Sequence, residues 1–211
     1  QNSRGFVVRG RIGTDLRFET SFLENQARFS PYIDSFARFH RVIPGMGRWK
    51  SFDTTDFDFA FSSGHFTWKA CKYFALTAGH GKHFVGDGYR SLLLSDNAFN
   101  YPYVRFTHFW KKWQYTNVYA MLMNLHDGGV TSPPNTERIF QKKPLAFHTL
   151  SWKPNQKFEL GLFQGMIWNV SDTLNRLQMG AGYFLPVLFA APVLYDMNND
   201  KNVWMGMSFR I

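Results

Sequence analysis

The start of the chain alternates between apolar and polar residues with a period of two. The even positions from 6 to 22 are mainly apolar: Phe6, Val8, Ile12, Leu16, Phe18 and Phe22. The odd positions carry the charged side chains: Arg9, Arg11, Asp15, Arg17 and Glu19. This period predicts strands with one apolar and one charged face. Because Gly13-Thr14-Asp15 offers a tight turn, the segment is predicted to be a hairpin.

Seven further strands are predicted along the rest of the chain, which makes about nine in total. They are Phe57 to Trp68, Phe74 to His80, Tyr103 to Trp110, Trp113 to Asn124, Pro144 to Trp152, Phe158 to Trp168 and Asn202 to Ile211. Most of them have a length close to what a tilted strand needs to cross the hydrocarbon layer of a membrane.

The predicted connections alternate between short and long. Short polar links occur at 13–15, 70–73, 111–112 and 153–157, and long segments occur at 25–56, 81–102, 125–143 and 169–202. Short turns on one rim and long loops on the other are typical of bacterial outer-membrane barrels. Five tryptophans lie at or near predicted strand ends, where an interfacial girdle would place them: Trp68, Trp110, Trp113, Trp152 and Trp168.

Hydropathy does not predict a membrane-spanning helix. The mean hydropathy is −0.30, and the longest apolar stretch, Tyr183 to Tyr195, is short and contains Pro186 and Pro192. Aromatic residues nevertheless make up 18% of the chain, which a lipid-facing wall would accommodate. The sequence therefore predicts an all-β fold, an antiparallel transmembrane β-barrel, with residues 1–211 as a single barrel segment. A soluble antiparallel barrel would share the alternation.

The charge of the chain limits the classes of partner, and its cysteine content limits the disulfides. The formal net charge is +9, which favours phosphate-bearing lipid or acidic polysaccharide. The basic residues are scattered singly along the strands, so no nucleic-acid partner is expected. A single cysteine, Cys71, allows no internal disulfide.

A glycine-rich segment follows the fourth predicted strand. Residues 79–98 read GHGKHFVGDGYRSLLLSDNA, and Asn100-Tyr101-Pro102-Tyr103 comes next. This segment resembles the Wzi-type capsule-assembly family of outer-membrane β-barrels, and most closely its RemB-like members, which are associated with gliding motility in Bacteroidetes. Shorter blocks at 19–28, 42–48 and 161–168 support the resemblance, which covers about half of the chain in scattered pieces.

The resemblance implies a barrel of roughly eighteen strands in the bacterial outer membrane, an even number as such barrels normally have. It also implies a role in holding or exporting surface polysaccharide. Nine strands would supply about half of that wall, so the chain is expected to be a fragment of a larger barrel. The resemblance carries over no catalytic residue, and no enzyme activity or cofactor is expected.

The polar residues of the glycine-rich segment are the candidate ligand-binding set: Lys82, His83, Asp87, Tyr89, Arg90, Asp96 and Asn97. Their side chains could hydrogen-bond sugar hydroxyls or an acidic glycan, and Tyr89 could stack on a sugar ring. The alternative is that Arg90 pairs with Asp87 or Asp96 to hold an inward-folded loop.

Other chemistries are less favoured for these residues. For His65, His80 and His83, ordinary hydrogen bonding is favoured over a metal site. Ser91 and Ser95 lie near His83 and Asp96, but no nucleophile elbow occurs, so acyl hydrolysis is not expected.

Three functions remain open at this point. The first is attachment or assembly of surface polysaccharide, or membership of a motility-linked envelope complex. The second is a pore without glycan specificity, and the third is a structural subunit that binds other envelope proteins or lipoproteins. The segment 25–47 has apolar residues near helical spacing at Ile33, Phe36, Ala37 and Phe39, which predicts a short helix covering a barrel mouth.

Overall fold

The computed structural model describes residues 2–51, 56–88, 92–123, 140, 142–168, 181–190 and 201–211. The strands are β1 Asn2–Ile12, β2 Leu16–Ala27, β3 Val42–Ile43, β4 Gly47–Arg48, β5 Lys50–Ser51, β6 Phe57–Cys71, β7 Phe74–Gly81, β8 Tyr101–Trp110, β9 Trp113–Met123, β10 Lys142–Trp152, β11 Glu159–Trp168 and β12 Lys201–Arg210. The helices are α1, Pro31–His40, and a 3-10 helix, Ala181–Phe184.

The long strands form one large sheet in the order β1-β2-β6-β7-β8-β9-β10-β11-β12, and the short β5 pairs with β6. The pairs β1–β2, β8–β9, β9–β10, β10–β11 and β11–β12 are all antiparallel. The prediction of an all-β antiparallel fold is confirmed. In the described part of the chain, neither helix has the length and apolar character to cross a membrane.

The chain divides into two compact units. The first contains Gln1–Thr67 and Gly79–Pro102, and the second contains Trp68–Ala78 and Tyr103–Ile211. Strands β6, β7 and β8 therefore contribute residues to both units.

The hairpin β1–β2 builds one side of the first unit. Its register places Phe6 opposite Phe22 and Arg9 opposite Glu19, so the even positions of both strands share one face. Gly13 opens the turn with φ +62, a conformation that glycine adopts without steric cost. The predicted hairpin is thus present with the predicted alternation of faces.

Helix α1 follows β2 in the first unit. Pro31 begins it, where a missing N–H is harmless, and Arg41 ends it in the left-handed conformation with φ 60. Within the helix, Arg38 binds Asp34 one turn earlier. One side of α1 packs on the sheet in a core of Ala27, Ala37, Ile43, Phe57 and Phe59, with Phe29 and Trp49 at its edge. The predicted covering helix is confirmed as a helix.

The second unit is built around β10. Five consecutive residues of this strand, Pro144 to His148, are buried. Since neighbouring side chains of a strand point to opposite faces, β10 is covered on both of them. One cover is the segment that contains the 3-10 helix, in which Tyr183 packs against Trp168 with ring centroids 5.0 Å apart.

Candidate functional site

The first unit presents a bare apolar face. Phe6, Val8 and Ile12 are 56%, 47% and 63% exposed, and Phe22 stacks on Phe6 with ring centroids 6.1 Å apart. On β6, Phe66 points to this same face and is also exposed. Apolar side chains at even positions of β1 and β2, together with Phe66, therefore form a surface that no described residue of the unit covers. We call it the apolar face.

The opposite face of these strands, the polar face, carries hydrogen bonds between side chains of neighbouring strands. Arg9 Nε donates to Glu19 Oε2 at 2.7 Å. Between the next two strands, the hydroxyl oxygens of Ser21 on β2 and Ser63 on β6 lie 2.7 Å apart. These pairs make side-chain hydrogen bonds across the sheet, and the same face also carries Val7 and Leu23, which are 54% and 39% exposed.

Helix α1 packs onto the polar face at the end of the strands that contains Ala27 and Phe57. The sheet residues under it, Ala27, Phe57 and Phe59, occupy odd positions, as Ser21 and Ser63 do. Trp49 fixes the helix further, because its Nε1 donates to the carbonyl oxygen of Ala37 at 2.9 Å. The covering segment thus lies on the polar side of the sheet, and in the part of the unit that the structure describes nothing covers the apolar side.

The glycine-rich segment is joined to the connection after α1 through Lys82. The Lys82 ammonium donates to the carbonyl oxygen of Gly45 at 2.5 Å and lies 5.2 Å from the ring centroid of Phe61. Burial lowers the pKa of Lys82, and the nearby charge of Asp96 opposes that shift. Gly45 has φ +71 within a tight turn. Lys82 therefore holds two long connections together as well as being a candidate ligand-binding residue.

His83 is a packing residue of this segment. It is buried, its Nδ1 lies 3.1 Å from the Tyr101 hydroxyl, and the two rings stack with centroids 5.7 Å apart. This is the hydrogen-bonded histidine that was favoured over a metal ligand. Within the described residues, no group of three or more His, Cys, Asp or Glu side chains could hold a metal ion.

The remaining candidates differ in position. Asp87, Asp96 and Asn97 are exposed on the segment, where a ligand could reach them. A backbone hydrogen bond joins the two sides of this segment, because the N–H of Val85 donates to the carbonyl oxygen of Leu94 at 2.8 Å. Tyr89 and Arg90 lie outside the described residues. The structure thus brings Lys82 near Asp96, buries His83, and leaves the two aspartates and Asn97 on the surface.

Helix α1 also carries two exposed aromatic residues, one of which the sequence pattern places among the apolar positions of the helix. Phe39 was grouped with the apolar positions of the helix, yet it is 80% exposed, and Tyr32 is 81% exposed. Ala37 is the helix residue that is buried. The helical spacing could have shown that Tyr32 and Phe39, seven residues apart, share a side of the helix that Ala37 does not.

The second unit contains a buried polar set that the sequence analysis did not identify. Asn117 Nδ2 lies 2.7 Å from His148 Nδ1, and both residues are buried. Gln164, also buried, accepts a hydrogen bond from the backbone N–H of Phe189. These side chains are mid-strand residues on β9, β10 and β11, and nothing in their spacing along the chain marks them as a group.

In chemical terms, the first unit combines an apolar sheet surface with an exposed polar and aromatic surface on its long connections. The second unit combines a sheet with a tightly held covering segment. No protein-family model, curated protein or solved structure matches the chain. The functional conclusion therefore depends on the geometry itself.

Proposed function

We propose that this chain forms part of the wall of a transmembrane β-barrel in a bacterial outer membrane, and that the barrel attaches or assembles surface polysaccharide without catalysing a reaction. The observation that supports this best is that the sheet of the first unit is covered on its polar face and not on its apolar face. Helix α1 and the residues that follow it pack on the polar face, and no described residue of the unit covers the apolar face.

The apolar face would be costly to leave in water. Exposing a large apolar side chain to water forgoes about 1.5–3 kcal/mol relative to burying it. In a water-soluble sheet, helix α1 would be expected on the apolar side, where it would recover that free energy. Lipid contact removes the conflict, because a barrel wall turns its apolar positions outward and its polar positions toward the lumen.

The connections and strand lengths fit the same proposal. The links β1–β2, β6–β7, β8–β9 and β10–β11 are short, and long segments alternate with them along the chain. At the end of β1–β2 nearer the long connection, Arg4 pairs with Glu24 at 2.8 Å beside the apolar positions. A charged pair at that point marks where the wall would leave the hydrocarbon.

The polysaccharide part of the proposal draws on the exposed side of the long connections. Asp87, Asp96 and Asn97 present carboxylate and amide groups that hydrogen-bond sugar hydroxyls. The excess of nine positive charges over the whole chain attracts an acidic glycan, whereas Asp87 and Asp96 suit its neutral hydroxyl groups.

The test begins with fractionation of the native protein from its own cells. Recovery in the sarkosyl-insoluble outer membrane, with a heat-dependent band shift in detergent, would support the barrel. Recovery in the soluble fraction without detergent would contradict it. A strain lacking the protein is then expected to release polysaccharide into the medium, whereas unchanged retention would contradict the polysaccharide role. A large conductance in planar bilayers, with polysaccharide retained, would favour a pore instead.

A further inference from the structure

The segment that covers part of the second unit has its polar contacts on the inside and apolar side chains on the outside. Residues 183–190 read YFLPVLFA and contain no charged side chain. On the inner side, the Tyr115 hydroxyl donates to the carbonyl oxygen of Pro186 at 2.6 Å. On the outer side, Phe184 and Val187 are 57% and 51% exposed. We call these eight residues the 183–190 segment.

The strand register shows which face of the sheet lies beneath this segment. One row of side chains paired across β9 to β12 is mainly polar: Asn117, His148, Gln164 and Met205. The next two rows toward the short links lie on the same face and are mainly apolar: Tyr115, Leu150, Leu162 and Met207, then Trp113, Trp152, Leu160 and Phe209. The polar row thus interrupts a face that is otherwise apolar over these positions, and the 183–190 segment lies on that row.

The opposite face of the same strands has a different character near the short links. It carries hydroxyl and amide side chains there: Thr107, Gln114, Thr116, Thr149, Ser151 and Ser208. Exposed strand residues on the face with the segment include Met207 and Phe209, at 70% and 72%. Because a barrel wall turns its apolar positions toward lipid, the 183–190 segment would lie on the lipid side of the wall.

The hydrogen bonds of the segment suit a position beside lipid. At membrane depth, irregular backbone is tolerated only where it is buried in protein or lines a water-filled cavity, because lipid offers no hydrogen bonds. The segment has its protein partners on the inner side, where Tyr119 donates to the carbonyl oxygen of Phe184 at 3.1 Å and Gln164 accepts from the N–H of Phe189. The polar row gains as well, since Asn117 Nδ2 lies 3.5 Å from the carbonyl oxygen of Pro186.

The surroundings of the segment favour lipid over a protein partner. Gln164, which binds Phe189, is paired with Met205, so exposed apolar strand residues begin directly beside the segment. A surface of Phe184 and Val187 without charged groups offers apolar contact and few directional groups that would select one protein.

We propose that Phe184 and Val187 contact the acyl chains of the membrane, and that the 183–190 segment separates the row Asn117, His148 and Gln164 from the lipid. The inference rests on the proposed function, because it takes the apolar side of the wall as the lipid side. It adds a lipid-contacting surface that is not made by a strand.

The test uses the full chain in liposomes, with single cysteines in a Cys71→Ser background that carry a spin label. Phe184→Cys and Val187→Cys report on the segment, and Met207→Cys is the matched strand position on the same face. Lys157→Cys, in an exposed short connection, is the water control. Collisions of the label with oxygen, which partitions into hydrocarbon, are compared with collisions with a water-soluble nickel chelate. The ratio of oxygen to chelate collisions is expected to be several-fold higher at 184, 187 and 207 than at 157.

The other outcomes overturn the inference in distinguishable ways, with Val8→Cys as a reference in the first unit. If the chelate reaches 184 and 187 while oxygen dominates at 207 and 8, the segment faces water and the proposed barrel stands. If neither reagent reaches 184 and 187 while oxygen dominates at 207 and 8, a protein surface such as a second copy covers the segment. If the chelate dominates at 207 and 8 as well, the proposed barrel fails together with the inference.

Discussion

The two units cover their sheets in different ways. In the first unit, helix α1 packs on β2 and β6 through an apolar core of residues such as Ala37, Phe57 and Phe59. In the second unit, residues 183–190 lie on β9, β10 and β11 and are held by polar side chains. Tyr115 donates to the carbonyl oxygen of Pro186 at 2.6 Å.

The difference follows from the backbone of the covering element. A helix satisfies most of its own N–H and C=O groups, so α1 needs from the sheet mainly apolar contact and the hydrogen bond from Trp49 to Ala37. Among the described residues after the 3-10 helix, one internal backbone hydrogen bond is present, from the N–H of Ala190 to the carbonyl oxygen of Val187. Side chains of the sheet supply partners for other backbone groups of this segment, such as the carbonyl oxygen of Pro186 and the N–H of Phe189.

The second unit supplies those partners from mid-strand positions. Tyr119 donates to the carbonyl oxygen of Phe184 at 3.1 Å, and Gln164 accepts from the N–H of Phe189. In return, the Tyr183 hydroxyl lies 3.2 Å from the carbonyl oxygens of both Ala120 and Leu145. Burial raises the pKa of Tyr183 to about 12, which disfavours loss of the hydroxyl proton even further. The buried polar side chains of this sheet thus have a structural role, which is to bind the covering segment.

The largest expected effect comes from the core beneath α1. Phe57→Ala should destabilise the protein by about 3–5 kcal/mol, because it removes a fully buried ring. Phe66→Ala, on the other face of the same strand, should cost under about 1 kcal/mol. Urea unfolding in detergent compares the two. Equal losses would show that the two faces of β6 are not packed differently.

A second pair of variants compares neighbouring residues of β1. In liposomes, Val8→Arg should cost about 2–4 kcal/mol of folding free energy, because it places a charge in the hydrocarbon. Val7→Arg should cost little, since Val7 lies on the polar face. The measurement is the fraction folded into liposomes across a urea series. Similar costs at both positions would contradict the assignment of faces.

The third prediction concerns the covering segment of the second unit. Gln164→Leu leaves the N–H of Phe189 without its acceptor, which should cost about 1–3 kcal/mol and loosen the segment locally. Hydrogen exchange of residues 183–190 should speed up. Gln114→Leu, at an exposed position of β9, is the control and should change nothing there. Unchanged exchange in Gln164→Leu would mean that side-chain hydrogen bonds do not hold the segment.

The smallest effect is expected at Trp49. Trp49→Phe keeps a ring at the edge of the core but removes the hydrogen bond to Ala37, which should cost about 1 kcal/mol. Exchange of the α1 amides should rise modestly, by less than that of residues 183–190 in Gln164→Leu. A larger rise in α1 would show that the helix also depends on polar anchoring.

Much of the fold was predictable from the sequence. The alternation from Phe6 to Phe22 predicts the hairpin β1–β2, and the long strands of the sheet lie within a few residues of the predicted ones. Pro31 and the helical spacing after it predict α1. The side of α1 that meets the sheet was not predictable, because Phe39 is more apolar than Ala37, and the choice depends on the space beside Phe57.

The candidate site was less accessible to sequence reasoning. The sequence pattern favours one glycine-rich segment, but His83 of that segment is buried against Tyr101. Lys82 is engaged by Gly45, which lies far away in the sequence. The set Asn117, His148 and Gln164 comes together only through the register of three strands. Such contacts depend on long-range pairing, which local pattern does not encode.

The central claim is that the apolar face of the first unit contacts lipid. Single cysteines at Val7, Val8, Ser21 and Phe22, in a Cys71→Ser background, would be labelled with an environment-sensitive fluorophore and reconstituted in liposomes that contain brominated acyl chains. The account predicts strong quenching at positions 8 and 22 and little at 7 and 21. Equal quenching at all four positions, or stronger quenching at 7 and 21, would contradict it.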